Sequence, residues 1–193
     1  VNTNYSAINI GASAQTLNGI SVVGNRIRGT TYGVGFNPSG GGAFTNVVFS
    51  ENIISGLSNN GLFMQGIAGV ELLGNNISTS GTAAAITSCT YARLVGNKFT
   101  GGGYSISFAG GASANAGSIA DESNYLSGAV DNQAGTGAII SVYANSPTPW
   151  TGNAAVGDRV IQSVPVVGQP KGWRCTTAGA VGTTAVFTSE GNL

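Results

Sequence analysis

Four copies of one phrase decide the fold of this chain: VGNRI at 23–27, SENII at 50–54, LGNNI at 73–77 and VGNKF at 95–99. Each carries an Asn with Ile or Phe two residues later, and Asn25, Asn52, Asn75 and Asn97 are stepped by 27, 23 and 22 residues. Five places before each Asn stand Ile20, Val47, Val70 and Ala92; three places before stand Val22, Phe49, Leu72 and Leu94. Two places after stand Ile27, Ile54, Ile77 and Phe99. A period of 20–30 residues with one short strand pattern per copy is the signature of a solenoid.

Outward from each phrase, a Gly-containing turn follows (Gly29, Gly56, Gly81, Gly101), then a further alternating segment. That segment reads YGVGF at 32–36, GLFMQ at 61–65, AAAIT at 83–87 and YSISF at 104–108. Three short strands per coil make a parallel β-helix that climbs about 4.8 Å per coil. Side chains alternate along a strand, so the positions five and three before the Asn face one bore, and like residues stack into apolar columns. The Asn column is expected to form a turn ladder, because Asn tolerates left-handed backbone angles and its amide can bond its neighbour. Gly24, Gly74 and Gly96 directly before the Asn fit a tight bend. Glu51 takes that place in the second copy.

Charged residues are 7% of the 193, where a globular domain has roughly 25%, and Gly, at 32, is about twice its usual share. With 41% apolar residues the chain can bury a core and is not disordered. Seven acids balance seven bases, so neither nucleic acid nor an anionic membrane is expected as a partner. No run approaches 18 apolar residues, so no membrane insertion is expected. Val1 and a start within the repeat texture read as a piece of a longer chain. Cys89 and Cys175 read as two buried reduced thiols, with a disulfide as the alternative.

The longest polar inserts, NPSGGGAFTN at 37–46 and AGGASANAGS at 109–118, sit at coil junctions, where solenoids place binding loops. A fifth coil is expected around Asn124, with Leu126 two later; Asp121 falls at its core position, so it is degenerate or shifted. AIISVYA at 138–144 reads as its closing strand. NSPTPW at 145–150 reads as a linker, and RVIQSV, GWRCTTAG and TTAVFTSEG beyond it as short strands. The expected organisation is all-β: a right-handed, single-stranded parallel β-helix of about four to six coils over 1–144, and a small antiparallel β cap over 145–193. Forty residues of strand bury little alone, so the cap should pack on the helix end or on other chains.

The segment GDRVIQSVPVVGQPKGWRCTTAGAVGTTAVFTSEGNL at 157–193 resembles the C-terminal segment of bacteriophage tailspike and tail-fibre proteins, through VGQPKGW, the C-T-x-A-G step and the SEGNL ending. The resemblance implies a homotrimer with three β-helices side by side. It implies binding of bacterial surface polysaccharide (O-antigen or capsule), attachment to the rest of the phage tail through a missing N-terminal part, and a place at the tail tip of a virion assembled in the bacterial cytoplasm. An endoglycosidase (depolymerase) cleaving that polysaccharide is the alternative. A non-phage β-helix adhesin or polysaccharide lyase is a second alternative.

The chain has no His, which removes Ser-His-Asp and Cys-His mechanisms and His-based metal sites; no metal and no cofactor are expected. SGGG at 39–42 and GGG at 101–103 lack the Lys-Ser/Thr of a phosphate loop. Carboxylate chemistry on a carbohydrate remains, with Glu51, Glu71, Asp121 and Glu122 as catalytic candidates and Asp131 as a further acid. Glu71 and Arg93 hold the same outward place on adjacent coils and most simply form a surface ion pair. Asp121 with Glu122 reads more simply as a solvated turn. A pectate-type lyase needs a Ca²⁺-binding acid cluster that these scattered acids do not supply. Tyr32, Phe44, Tyr104 and Trp150 are candidates for stacking on sugar rings, with Tyr32 and Tyr104 alternatively a structural column. Trp173 and Cys175 alternate on one face of a short strand, in core or trimer interface.

Overall fold

The computed structural model describes residues 6–29, 31–39, 41–144, 146, 148 and 150–193. Three strands make each of the first five coils. The first holds β1 (Ser6–Ser13), β2 (Thr16–Val23) and β3 (Arg26–Arg28); the second β4 (Tyr32–Ser39), β5 (Ala43–Ser50) and β6 (Ile53–Leu57). The third holds β7 (Leu62–Gln65), β8 (Ile67–Leu73) and β9 (Asn76–Thr79); the fourth β10 (Ala84–Thr87), β11 (Thr90–Val95) and β12 (Lys98–Gly101). The fifth holds β13 (Tyr104–Ala109), β14 (Ile119–Ala120) and β15 (Tyr125–Leu126), and the sixth only β16 (Ala129–Asn132) and β17 (Ile139–Ala144). Then come β18 (Gly152–Ala154), β19 (Arg159–Gln162), β20 (Gly172–Thr177), β21 (Gly179–Ala180) and β22 (Val186–Ser189).

Like strands of successive coils pair in parallel, giving a first sheet β1-β4-β7-β10-β13-β16-β18-β21, a second sheet β2-β5-β8-β11-β14-β17-β19-β20-β22 and a third sheet β15-β12-β9-β6-β3. The result is the expected all-β parallel β-helix, of about six turns. Parallel pairing runs past residue 144, with β18 on β16 and β19 on β17; β20, β21 and β22 then add antiparallel.

The register follows the repeat residue by residue. Ile20 pairs with Val47, Val47 with Val70 and Val70 with Ala92; Val22, Phe49, Leu72 and Leu94 form the second column. Val47, Val70, Phe49, Leu72, Leu94, Ile54, Ile77 and Phe99 are fully buried, and at roughly 1.5–3 kcal/mol per large apolar side chain these columns are the main source of stability. The fifth coil is shifted by one residue: Leu94 pairs with Ala120, which takes the core place, and Asp121 moves into the turn. There the Asp121 carboxylate accepts from the Ser123 and Asn124 side chains and from the Ser123 N–H.

Three details differ from the sequence reading. The left-handed residue at the corner is the one before each Asn: Gly24, Glu51, Gly74 and Gly96 have φ of 69°, 57°, 62° and 64°. The Asn side chains turn inward instead. Asn75 Nδ2 donates to Asn97 Oδ1 at 2.9 Å and to the Phe49 carbonyl at 2.7 Å, and the Asn75 N–H donates to Asn97 Oδ1 at 2.9 Å. Second, residues 37–39 and 43–46 of the first polar insert are strand, in β4 and β5, because both segments have a partner strand in the neighbouring coil. Third, β17 lies in the second sheet and follows β16 in the sixth coil, so it does not close the fifth.

Candidate functional site

A three-sided coil buries its inward columns, so any site must lie on the outward residues of a sheet. On the first sheet, Asn9, Gly35 and Phe63 share one outward register position. With no side chain on Gly35, a groove of about 370 Å³ opens between Tyr32, Phe63 and the amides of Asn9, Asn37 and Asn60. Among the described residues, no charged one lines it. The Tyr32 hydroxyl accepts a hydrogen bond from Asn59 Nδ2 at 2.8 Å, which holds the ring at the groove wall.

On the second sheet the outward column runs Val48, Glu71, Arg93, Ile119. Two residues before Arg93, Tyr91 occupies a bulge with φ 56°, a column whose other members are Gly19, Asn46, Gly69 and Gly117, all also left-handed. A left-handed backbone costs a residue bearing a Cβ about 1–2 kcal/mol, and Tyr91 regains little of that by burial, since it is 71% exposed. Gly69 and Gly117 on either side leave hollows. One, of about 350 Å³, is lined by Asn46, Val48, Glu71, Tyr91 and Arg93; the other, of about 180 Å³, by Tyr91, Arg93, Gly117, Ile119 and Asp121.

The structure thus brings Glu71 and Asp121 to one outer face with Arg93 between them. It does not bring Glu51 there: Glu51 sits exposed at the corner before Asn52. Glu71 and Arg93 are register neighbours, as expected, but their side chains do not close into an ion pair. Glu122 lies farther on, in a hollow of about 390 Å³ with Tyr125 and Tyr143. Asp131 is a buried structural acid that accepts from Asn153 Nδ2 at 2.8 Å.

Among the aromatic candidates, Tyr32 alone lines a groove described above. Phe44 is buried in the bore, edge-on to Phe36 at 5.8 Å, so it offers no face to a sugar. Trp150 is 9% exposed and packs edge-on against Phe187 at 5.9 Å, with its Nε1–H donated to the Asn153 carbonyl; it latches β22 to the helix end. Tyr104 is 37% exposed. It stands three rungs from Tyr32, about 14 Å at one strand spacing per rung, so the two rings do not stack as a column.

Sequence reasoning passed over Tyr91, Phe63 and Asp158. The signal for Tyr91 was present: an aromatic in a column otherwise made of Gly and Asn. Asp158 is wholly buried and accepts from the Ile140 N–H and Asn132 Nδ2, each at 2.8 Å, and from the Ala155 N–H at 2.9 Å. Burial pushes its carboxyl up to about 7 against those three donors. In the cap, Glu190 accepts from Arg159 at 2.8 Å and faces Arg174 at 3.6 Å; the Arg159 hydrogen bond holds its carboxyl below the usual range. Cys89 and Cys175 are both free and buried, and burial raises both thiols, Cys89 to about 11.

No curated protein and no solved structure matches the chain. The family model described as "NosD: Periplasmic copper-binding protein (NosD)" matches residues 1–149. That span takes in the first six coils, and the chain belongs to the NosD family of β-helix proteins.

Proposed function

We propose that this chain is the distal β-helix and cap of a phage tailspike, and that it binds bacterial surface polysaccharide in the groove of the first sheet. The observation that carries the binding reading is the groove itself: two aromatic walls, Tyr32 and Phe63, three amides, and no charge. Aromatic faces stack on the C–H faces of pyranose rings, and amides both donate to and accept from hydroxyls. The tailspike reading draws its support from the 157–193 resemblance and from the β-helix in front of it. The protein would act as a homotrimer on a tail tip assembled in the host cytoplasm, where buried thiols stay reduced.

The test is affinity for immobilised host polysaccharide. Tyr32→Ala and Phe63→Ala are each expected to weaken binding roughly tenfold, the scale of one lost aromatic stack. Unchanged binding in both would sink the groove assignment. A persistent monomer by mass measurement would sink the trimer. Removal of 151–193 uncovers β16 and β17, and is expected to yield aggregates or monomers.

Copper, in the family's description, finds no fitting donors here. The chain has no His, Cys89, Cys175 and Met64 are wholly buried, and no group of three His, Cys, Asp or Glu clusters among the described residues.

A hydrolytic reading rests on Glu71 and Asp121. They are two rungs and two residues apart, about 12 Å between backbones, from which side chains can reach the 6.5–9.5 Å of an inverting pair. Reducing ends released by the wild type and lost in both Glu71→Gln and Asp121→Asn would establish it. Release that survives either change removes the pair.

A further inference from the structure

We propose that Tyr91, with Arg93 and Glu71 beside it, forms a second and separate saccharide subsite on the second sheet, selective for neutral pyranosides. The inference rests on the polysaccharide-binding reading but not on the groove that carries it.

Tyr91 is the starting point because its left-handed conformation is repaid by little burial. In the same bulge the other coils place Gly19, Asn46, Gly69 and Gly117, residues that accept a left-handed backbone; the fourth coil places a bulky aromatic at φ 56° and leaves it 71% exposed. Strained residues that gain little packing cluster at binding sites, where the displayed side chain is what the strain achieves.

The neighbours are shaped to match. A Cβ on Gly117 would come within 2.7 Å of Tyr91 Cδ1, so the ring leans on a backbone that only Gly leaves clear. Gly69 opens the other side, and the ring stands as a ridge between two hollows of about 350 and 180 Å³. One side of the ring rests on Gly117, and the rest of it borders the two hollows, so a single face is free for stacking.

Arg93 lines both hollows, and among the described residues its guanidinium has neither an ion pair nor a hydrogen bond. Glu71 is its register neighbour and equally uncommitted. A guanidinium offers five donors and a carboxylate only acceptors, so together they match the mixed donor and acceptor character of vicinal hydroxyls. The charges also select. Glu71 on one side of Arg93 and Asp121 on the other outweigh the single guanidinium and leave the site net negative, which disfavours a uronate or sialate against neutral hexoses and N-acetylhexosamines.

The test uses the whole chain against a panel of immobilised bacterial polysaccharides, neutral and acidic, with melting temperature and solution mass recorded for each variant. Tyr91→Gly restores the residue type of the neighbouring coils, so it is expected to hold or raise the melting temperature while lowering affinity for neutral polysaccharide at least tenfold. Arg93→Leu should lower it similarly, and Tyr32→Ala should act independently. Binding unchanged in Tyr91→Gly but lost in Tyr32→Ala overturns this subsite and leaves the first groove standing. No binding by the wild type overturns both. Binding restricted to acidic polysaccharides overturns the selectivity. A lower melting temperature, or a changed solution mass with affinity intact, would make Tyr91 a packing or subunit-contact residue and overturn the proposal.

Discussion

Asn75 donates its side-chain amide to Asn97 Oδ1 at 2.9 Å, and both residues are shut away from water. Asn52, Asn75 and Asn97 each also receive the N–H of the Asn below and return a hydrogen bond to a carbonyl three residues before that neighbour. The ladder therefore satisfies backbone groups that the corner would otherwise leave unpaired.

Asn75→Ala strips the acceptor from the Asn52 N–H and Nδ2 and the donor from the Phe49 carbonyl. With two or three buried groups left unsatisfied, the expected loss is about 2–5 kcal/mol by denaturant unfolding. Asn25→Ala, at the exposed end of the ladder, should cost under about 1 kcal/mol. Equal losses would refute the burial argument.

Asp158 predicts the pH dependence of stability. Its carboxyl is raised from 3.8 to about 7 in the folded chain, chiefly by burial. The folded state thus holds a proton that the unfolded chain releases, and stability is full below pH 4 and declines until pH 7. At 1.36 kcal/mol per pH unit the ceiling is about 4 kcal/mol. Glu190, depressed mainly by its hydrogen bond from Arg159, has the opposite sign and loses stability as the solution turns acid below its unfolded value of 4.5. Between pH 5 and 7 the melting temperature should therefore fall. Asp158→Asn should flatten that slope and cost about 1–3 kcal/mol, since an amide cannot accept from all three donors.

Trp150→Ala removes the ring that packs on Phe187 and opens a void under the cap. The expected cost is about 3–5 kcal/mol, with β20–β22 exchanging amide hydrogens faster than β8 and β11. Uniform acceleration of exchange would show that cap and helix unfold as one unit.

The thiols offer a direct check on packing. Cys89 and Cys175 are wholly buried with raised pKa, so both should resist a thiol reagent at pH 8 in the native protein and react fully in denaturant. Rapid native labelling of Cys89 would contradict the closed bore.

Gly101 ends β12 and tests how tightly the chain turns from it into β13. A Cβ there would meet the Tyr104 carbonyl oxygen at 1.8 Å, so Gly101→Ala is expected to destabilise by about 1–3 kcal/mol despite its small size. A neutral result would show that the turn relaxes freely.

The sequence by itself determined the stack: the Asn step, the apolar columns and the third alternating strand all reappear as register, because a parallel coil places equivalent residues above one another. It also located Asn124 as the fifth rung. Only the tertiary structure decided which way the Asn side chains turn, that Phe44 and Trp150 are packed rather than displayed, and that Ala120 replaces Asp121 in the core. It alone joined Tyr32 to Phe63 and set Tyr91 between two glycines. Repeats encode what is buried, because burial is the same in every coil. A surface groove is made by the places where neighbouring coils differ, and those acquire meaning only when the chain is wound.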